Sequence, residues 1–309
     1  MDLIGFFIRR ILQAAIVVLL VTVITFILLR AIPGNPAIAI LGPSAYRNPA
    51  ALAQFNAQYG FDKPWFSQYL LWLGHLLQGN LGFSYKLDQS VASLLGQRLP
   101  KTVILVGFST IIALIIAVPI GLWQAVRRNK PVDYTFTALS FLFYAAPTFF
   151  VGTVLILVFS VKLQWFGPEG PQGGVVNDLT DWRDLTLPVV TLALVTIALF
   201  SRYMRSAVLD NITEDYVRTA RAKGASSRRV LWRHVMRNSL IPIATLLGLS
   251  IPGILSGALI TESVFNYPGM GFLFFQSAQN QDYPTLLGFV IIVAIGTVVG
   301  SLLADIAYG

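Results

Sequence analysis

The chain has 309 residues, of which 55% are hydrophobic and 12% charged, and its mean hydropathy is +0.70. That balance excludes an ordinary soluble domain, in which about 25% of residues are charged. The absence of cysteine excludes a disulfide framework or thiolate metal site, and the two histidines, His75 and His234, are too few and too far apart for a zinc site.

The first apolar run is Ile11 to Leu29, preceded by Arg9 and Arg10 and followed by Arg30 and "AIPGNP". A cleaved signal peptide also starts basic and turns apolar, but 19 residues exceed a usual signal core, so a retained helix is the favoured reading. A segment of about 70 residues follows before the next run. Within it "DKPWFSQYLLWLGHLLQGN" predicts a helix from Pro64 to Gln78, stopped by Gly79. Its broad apolar face (Trp65, Tyr69, Leu70, Trp72, Leu73, Leu76, Leu77) suits the outer membrane boundary or packing on the spans. His75 is read as a polar-face residue rather than a ligand.

Five further runs predict spans over 102–125, 134–161, 185–200 with helix continuing to 209, 240–260 and 286–307. The third holds "AAPTFF" with Pro147. The fifth holds Pro242 in its first turn and Pro252-Gly253 in its middle, where a kink is expected. "GILSG" and "GTVVG" (Gly253, Gly257, Gly296, Gly300) permit close helix approach, read mainly as intramolecular packing.

With the N-terminus inside, the inner segments carry 14 Lys and Arg against six acids, and the outer segments eight against eight. The whole net charge of +8 lies on one side, which places both termini in the cytoplasm and argues against nucleic acid as its reason. The predicted fold is all-α: one domain over 1–309, with a first helix 11–29, an extracytoplasmic segment 31–100 and a five-helix core 102–307.

No charged residue is read near the middle of a span; Glu262 and Asp305 fall near ends. Hydroxyls such as Thr25, Ser109, Thr110, Ser140, Tyr144, Thr191, Thr196, Ser250 and Ser256 are scattered, as expected of groups that bond back to their own helix. Ion-coupled carriers place titratable groups at membrane depth, so a passive or partner-driven pathway is favoured. An ion-coupled carrier built on exposed backbone carbonyls, or a homo-oligomeric channel, stays open. No phosphate-binding G-x-x-x-x-G-K-[ST], serine elbow or H-E-x-x-H occurs, and no catalytic constellation is found.

The most informative stretch lies between the fourth and fifth runs. Thr219 to Asn238 holds six Lys or Arg and no acid. Asn211 or Thr213 can cap a helix there, with Glu214 and Asp215 in its first turn and basic residues toward Lys223. Gly224 is a natural stop, and Ser226 or Ser227 caps a second helix reaching Arg237. A basic surface helix suits anionic lipid or a protein groove. The paired caps, and small residues beside Tyr216 and Val217, favour protein.

"DYVRTARAKGASSRRVLWRHVMRNSLIP" (Asp215 to Pro242) resembles the cytoplasmic EAA loop of ATP-binding-cassette importer permeases of the dipeptide/oligopeptide/nickel branch. "FIRRIL", "RAIPGNPA", "YGFDKPWFSQYLLWL", "ESVFNYPGMG" (Glu262 to Gly271) and "QDYP" (Gln281 to Pro284) resemble other parts of that branch, so the likeness spans nearly the whole chain. As in the branch, Arg218, Thr219 and Ala220 stand where the general motif begins, without its Glu, and its closing proline is replaced near Asn238. The chain stops at "ADIAYG" where the branch continues into a "DPR" tail.

The resemblance implies half of a translocation pore in a prokaryotic cytoplasmic membrane. The partners are a second homologous permease, two cytoplasmic ATPases that hold ATP and Mg, and an extracytoplasmic solute-binding protein. The chain itself would hold no cofactor and catalyse nothing. Within a coupling segment 211–237, Glu214, Asp215, Tyr216, Val217, Arg218, Thr219, Ala220, Arg221, Ala222, Lys223, Gly224, Arg228 and Arg229 would engage an ATPase, with Arg233 nearby meeting the same surface or lipid. Peptides are the implied cargo class, while nickel complexes, glutathione and some sugars are carried by relatives with similar permeases.

Overall fold

Each apolar run folds as helix, and most helices overrun the stretch that predicted them. The computed structural model describes residues 3–31, 48–60, 62–84 and 86–308. The helices are α1 Leu3–Ala31, α2 Pro49–Tyr59, α3 Trp65–Leu77, α4 Val91–Val126, α5 Pro131–Ala145, α6 Thr148–Leu155, α7 Val175–Thr180, α8 Trp182–Asn211, α9 Asp215–Ala222, α10 Met236–Ser256, α11 Leu259–Val264, α12 Met270–Gln279 and α13 Tyr283–Tyr308. The purely helical expectation needs one correction. A small hairpin pairs β1 Phe83–Ser84 with β2 Gln89–Ser90, in register Phe83 to Ser90. The "PGNP" stretch expected to end the first span lies outside the described residues.

Helix α4 begins well before Thr102. Ser90 caps it by accepting the Ser93 N–H at 3.3 Å, and Val91, Leu94 and Leu95 bury their side chains against α12 and α13. The third predicted span is two helices, α5 and α6, bent by 102°. The break follows from Pro147, which disfavours helical backbone at the residue before it; Ala146 is extended at φ −69°, ψ 129°. A π-helical segment Ile156–Lys162 continues α6. The second surface helix is not separate from the fifth span. A turn Ser227–Arg229 and a π-helical segment Val230–Val235 lead directly into α10. Helix α10 runs on through the expected kink at Pro252-Gly253 and ends at Ser256. Gly257, at φ +87°, makes the break, and a Cβ there would strike the Gly271 amide.

Among the described residues four helical stretches are long and apolar enough to cross a membrane: Val91–Val126, Trp182–Asn211, Ser227–Val264 and Tyr283–Ser301. The bent pair α5–α6 makes a fifth if taken as one span, and Ala15–Ala31 of α1 is a shorter apolar helix.

The centre of the bundle is the parallel pair α4 and α8. Leu105 meets Leu185 and Val189 near one end, and Ala117 and Leu122 meet Phe200 and Met204 near the other. At Gly121 the two backbones nearly touch: a Cβ would lie 2.6 Å from the Ser201 carbonyl oxygen and 2.7 Å from Met204 Cβ. Helix α5 lies antiparallel to α8. Arg205 grips Asp133 through two bonds of 2.7 and 2.8 Å, and the Ser140 and Ser201 hydroxyls meet at 3.2 Å. Helix α10 packs on α13, where Gly296 abuts Leu255, an intramolecular use of the "GTVVG" pattern. On the far side of α13 lies α1, with Phe26 and Leu29 against Tyr283, Leu286 and Leu287. Helix α3 packs on α1, its Tyr69 hydroxyl 3.0 Å from Thr22 and its ring edge-on to Phe26.

Gly121→Ala is expected to destabilise the protein by about 1–3 kcal/mol, because neither contacting backbone can retreat. The check is the thermal midpoint of the purified protein in detergent. Gly107→Ala, whose Cβ would meet nothing within 4 Å, should leave it unchanged.

Candidate functional site

The basic segment and its seat occupy one end of the bundle. Helix α9 is short and strongly amphipathic. Val217 is fully buried, and with Val230 and Val235 it joins Val208, Met204, Leu122 and Ala125, the side chains that close the ends of α4 and α8. Tyr216 and Ala220 pack half-buried on the same cluster, and the Tyr216 hydroxyl donates to Asn211 Oδ1 at 2.8 Å. The opposite face presents Glu214, Asp215, Arg218, Thr219, Arg221, Ala222 and Lys223 to the outside, followed by Gly224, Arg228 and Arg229. Of the thirteen residues expected to meet a partner, Val217 therefore points inward and holds the helix in place. An exposed ion pair, Arg218 to Asp215 at 3.4 Å, adds little.

The caps differ in part from expectation. Glu214 occupies the N-cap position of α9 without a side-chain bond. Asn211 serves Tyr216 instead, and Thr213 donates to the Asp210 carbonyl at 3.0 Å. Ser226 caps the next turn as predicted, accepting the Arg229 N–H at 3.4 Å. Gly224 has φ +81°, the left-handed geometry that lets the chain reverse between the two helical pieces.

The other end of the bundle holds a cluster of buried polar side chains that hydropathy did not expose. Lys101, inside α4, donates to Asp178 Oδ1 at 2.5 Å and to the Pro171 and Gly173 carbonyls at 3.3 and 3.0 Å. All three ammonium protons are thereby met, which a charge 3% exposed requires. The Tyr267 hydroxyl lies 2.8 Å from the Lys101 carbonyl and 3.0 Å from Asp178 Oδ2, with its one proton shared between these two acceptors. Burial first, then the Asp178 carboxylate, hold that hydroxyl's pKa above its ordinary value, so it stays protonated.

Next to this triad, Thr102 donates to Glu262 Oε1 at 2.8 Å and accepts the Met270 N–H at 2.7 Å. Glu262, 0% exposed, also accepts the N–H groups of Ala258 (3.2 Å) and Phe272 (2.9 Å). "ESVFNYPGMG" is thus a folded-back segment whose carboxylate ties together the backbone on both of its sides. The "QDYP" stretch does similar work: Asp282 accepts from Ser84 at 2.5 Å and Thr285 at 2.7 Å, pinning the hairpin to the start of α13. Both stretches entered the sequence reading only as likenesses. Their acidic residues just outside apolar runs were the available signal.

The hydroxyls behave largely as expected. Ser109, Thr191, Thr196, Ser250 and Ser256 bond to carbonyls of their own helix, while Ser140 reaches Ser201 on α8. Just beyond the predicted fourth span, Arg202 on α8 makes a different kind of contact. Its guanidinium lies over the rings of Phe141 and Tyr144, at 4.9 and 5.3 Å from their centroids.

Thr102→Val removes both the donor to Glu262 and the acceptor for Met270. It should lower stability by about 1–3 kcal/mol, with Thr102→Ser close to wild type. Thermal melting of the two variants side by side checks this.

The comparisons with known proteins agree across the chain. Residues 117–309 match the family described as binding-protein-dependent transport system inner membrane component, and residues 3–106 match its N-terminal counterpart. The chain is 40% identical over 311 residues to the oligopeptide transport system permease protein AppB of Bacillus subtilis, covering 98% of this chain and 96% of that one. It is 34% identical to the di/tripeptide transport system permease protein DppB of Pseudomonas aeruginosa, covering 94% and 92%. With the glutathione transport system permease protein GsiC of Salmonella choleraesuis it shares 32% identity, covering 99% and 97%. A chain of the inward-facing MetNI methionine ABC transporter aligns with a TM-score of 0.46 and 18% identity, covering 70% of this chain and 97% of that one. The chain therefore belongs to the inner membrane components of binding-protein-dependent transport systems, as a permease and non-catalytic membrane subunit of an ABC importer.

Proposed function

We propose that this permease imports peptides of the di- and oligopeptide class, and that α9 is the part through which ATP hydrolysis drives it. The observation that carries the coupling reading is the seat of α9. Val217 fixes one face against the ends of α4 and α8, while the other offers Arg218, Arg221 and Lys223 outward. A helix so fixed transmits displacement to the spans, where a mobile tail would absorb it. The cargo class comes to this chain from its likeness to oligopeptide and di/tripeptide permeases.

In this reading the chain crosses a prokaryotic cytoplasmic membrane six times, with α5 and α6 counted as one span, and both termini inside. The segment 31–100 lies outside. A second homologous permease completes the pore, two cytoplasmic ATPases bind ATP and Mg, and a solute-binding protein delivers cargo to the outer end. The exposed face of residues 214–224, with Arg228 and Arg229, seats on an ATPase. The concentration of basic residues on the α9 side supports this orientation.

Gly224 supplies the test. A Cβ there meets nothing within 4 Å, so a substitution acts through the backbone alone, at φ +81°. A β-branched residue in that conformation costs about 1–3 kcal/mol locally. Gly224→Val should retain membrane insertion and ATP hydrolysis by the assembled transporter but lose most peptide uptake. Gly224→Asn, which tolerates this geometry, should keep most of it. Co-purification of ATPases with wild type, and uptake by Gly224→Val at the wild-type rate, are the supporting and refuting results.

A further inference from the structure

Among the described residues Arg202 lies over two aromatic rings and makes no ion pair. It lies on α8, three residues before Arg205, yet the two arginines do different things. Arg205 reaches back to Asp133 at the start of α5 and pairs with it. Arg202 reaches the other way, over Phe141 and Tyr144, which are eight and eleven residues further along α5. At 1.5 Å per residue its guanidinium stands about 12–16 Å beyond the Asp133 level. If Asp133 marks the edge of the bilayer, that is roughly a third to a half of the way through a 30 Å hydrocarbon core. Arg202 is exposed, and so are Phe141 (54%) and Tyr144 (53%). No carboxylate of the described residues pairs with it.

A guanidinium at that depth is costly against lipid, and it can avoid the cost by bending toward the headgroups. Arg202 instead lies over rings further along α5. Charged side chains at membrane depth almost always face the bundle interior or a water-filled cavity. The ring contacts do not use its N–H groups, and a guanidinium can offer two of these as parallel bonds to a carboxylate.

We propose that Arg202, with Phe141 and Tyr144, lines the translocation pathway and receives the C-terminal carboxylate of the peptide as it passes. The rings would hold the cation in place and shield it from lipid. The inference rests on the peptide-permease reading above and deepens it by naming where cargo touches this chain.

The chain contains no cysteine, so Tyr144→Cys gives it a single thiol. The full transporter, assembled with its partner subunits in proteoliposomes, is treated with a membrane-impermeant methanethiosulfonate, and modification of this chain is read by mass. Arg128→Cys, at an exposed turn between α4 and α5, is the positive control. Tyr144→Cys should be modified, and a hydrophobic tripeptide should slow the reaction at least about tenfold, which corresponds to about 1.4 kcal/mol. The same tripeptide with its C-terminus amidated should not. Arg202→Gln placed in the Tyr144→Cys background should abolish protection by the free acid, and Arg202→Lys should restore part of it.

An unmodified Tyr144→Cys beside a modified control would overturn the pathway assignment, since the patch would then face lipid or be sealed by a partner. Equal protection by acid and amide, no protection by either, or protection that survives Arg202→Gln would overturn the carboxylate assignment. Failure of the wild-type assembly to take up any di- or tripeptide would count against the peptide reading instead, while the labelling result would still decide whether this patch meets water.

Discussion

The close approach of α4 and α8 at Gly121 is the constraint on which the remaining structure depends. It brings the Ser201 carbonyl to within a methyl group's breadth of α4, and no side chain can enter between. The two helices pack in parallel along their length. At one end the pair carries the apolar seat of α9, formed by Leu122, Ala125, Met204 and Val208. At the other it carries Lys101 and Thr102, to which the folded-back segment 262–271 is bonded. In the proposed coupling, a push on α9 would reach the far end of the bundle through packed side chains and this pair.

The polar interactions divide by position. Near the α9 end, Asp133 and Arg205 fasten α5 to α8. At the far end, Lys101–Asp178 and Thr102–Glu262 fasten α7 and α11 to α4. Asp133, Lys101, Asp178 and Glu262 are buried, Arg205 is partly so, and each has its bonding capacity largely met inside the chain, so these charges contribute to shape and have little freedom to exchange protons or ions. That arrangement accords with a subunit that spends no energy source of its own. It also explains why "ESVFNYPGMG" holds a glutamate: only an acceptor with two oxygens can take the Ala258 and Phe272 N–H groups and the Thr102 hydroxyl together.

Helix positions were legible because hydrophobic run length is a direct consequence of bilayer thickness. The surface helix was legible because Gly224 and Ser226 are punctuation with a local mechanism. What escaped was set by tertiary contact. Helix α4 extends back to Val91 because Leu94 and Leu95 find partners on α12 and α13, which no window along α4 reveals. The bend at Ala146 was signalled by Pro147, but its 102° size depends on where α6 packs against α8 and α11. The cap of α9 passed from Asn211 to the backbone near Glu214 because Tyr216 took the Asn211 side chain. Lys101 stood one residue outside an apolar run, so hydropathy assigned it to the surface, although three oxygens and a tyrosine enclose it.

Lys101 and Arg202 show why burial and depth must be judged together. Lys101 is buried and fully bonded, and its charge is cancelled where it stands. Removing it would leave Asp178 unpaired, and the effect would be structural. Arg202 is exposed and lacks a counter-ion, and Phe141 and Tyr144 stabilise it only through their ring faces. A structural role for such a group would favour the nearest carboxylate, and Asp133 is already taken by Arg205 from one turn away. With both arginines on one face of α8 and one acid within reach, one guanidinium is necessarily left over. The fold holds that one over aromatic rings, which is the arrangement the proposed carboxylate contact uses.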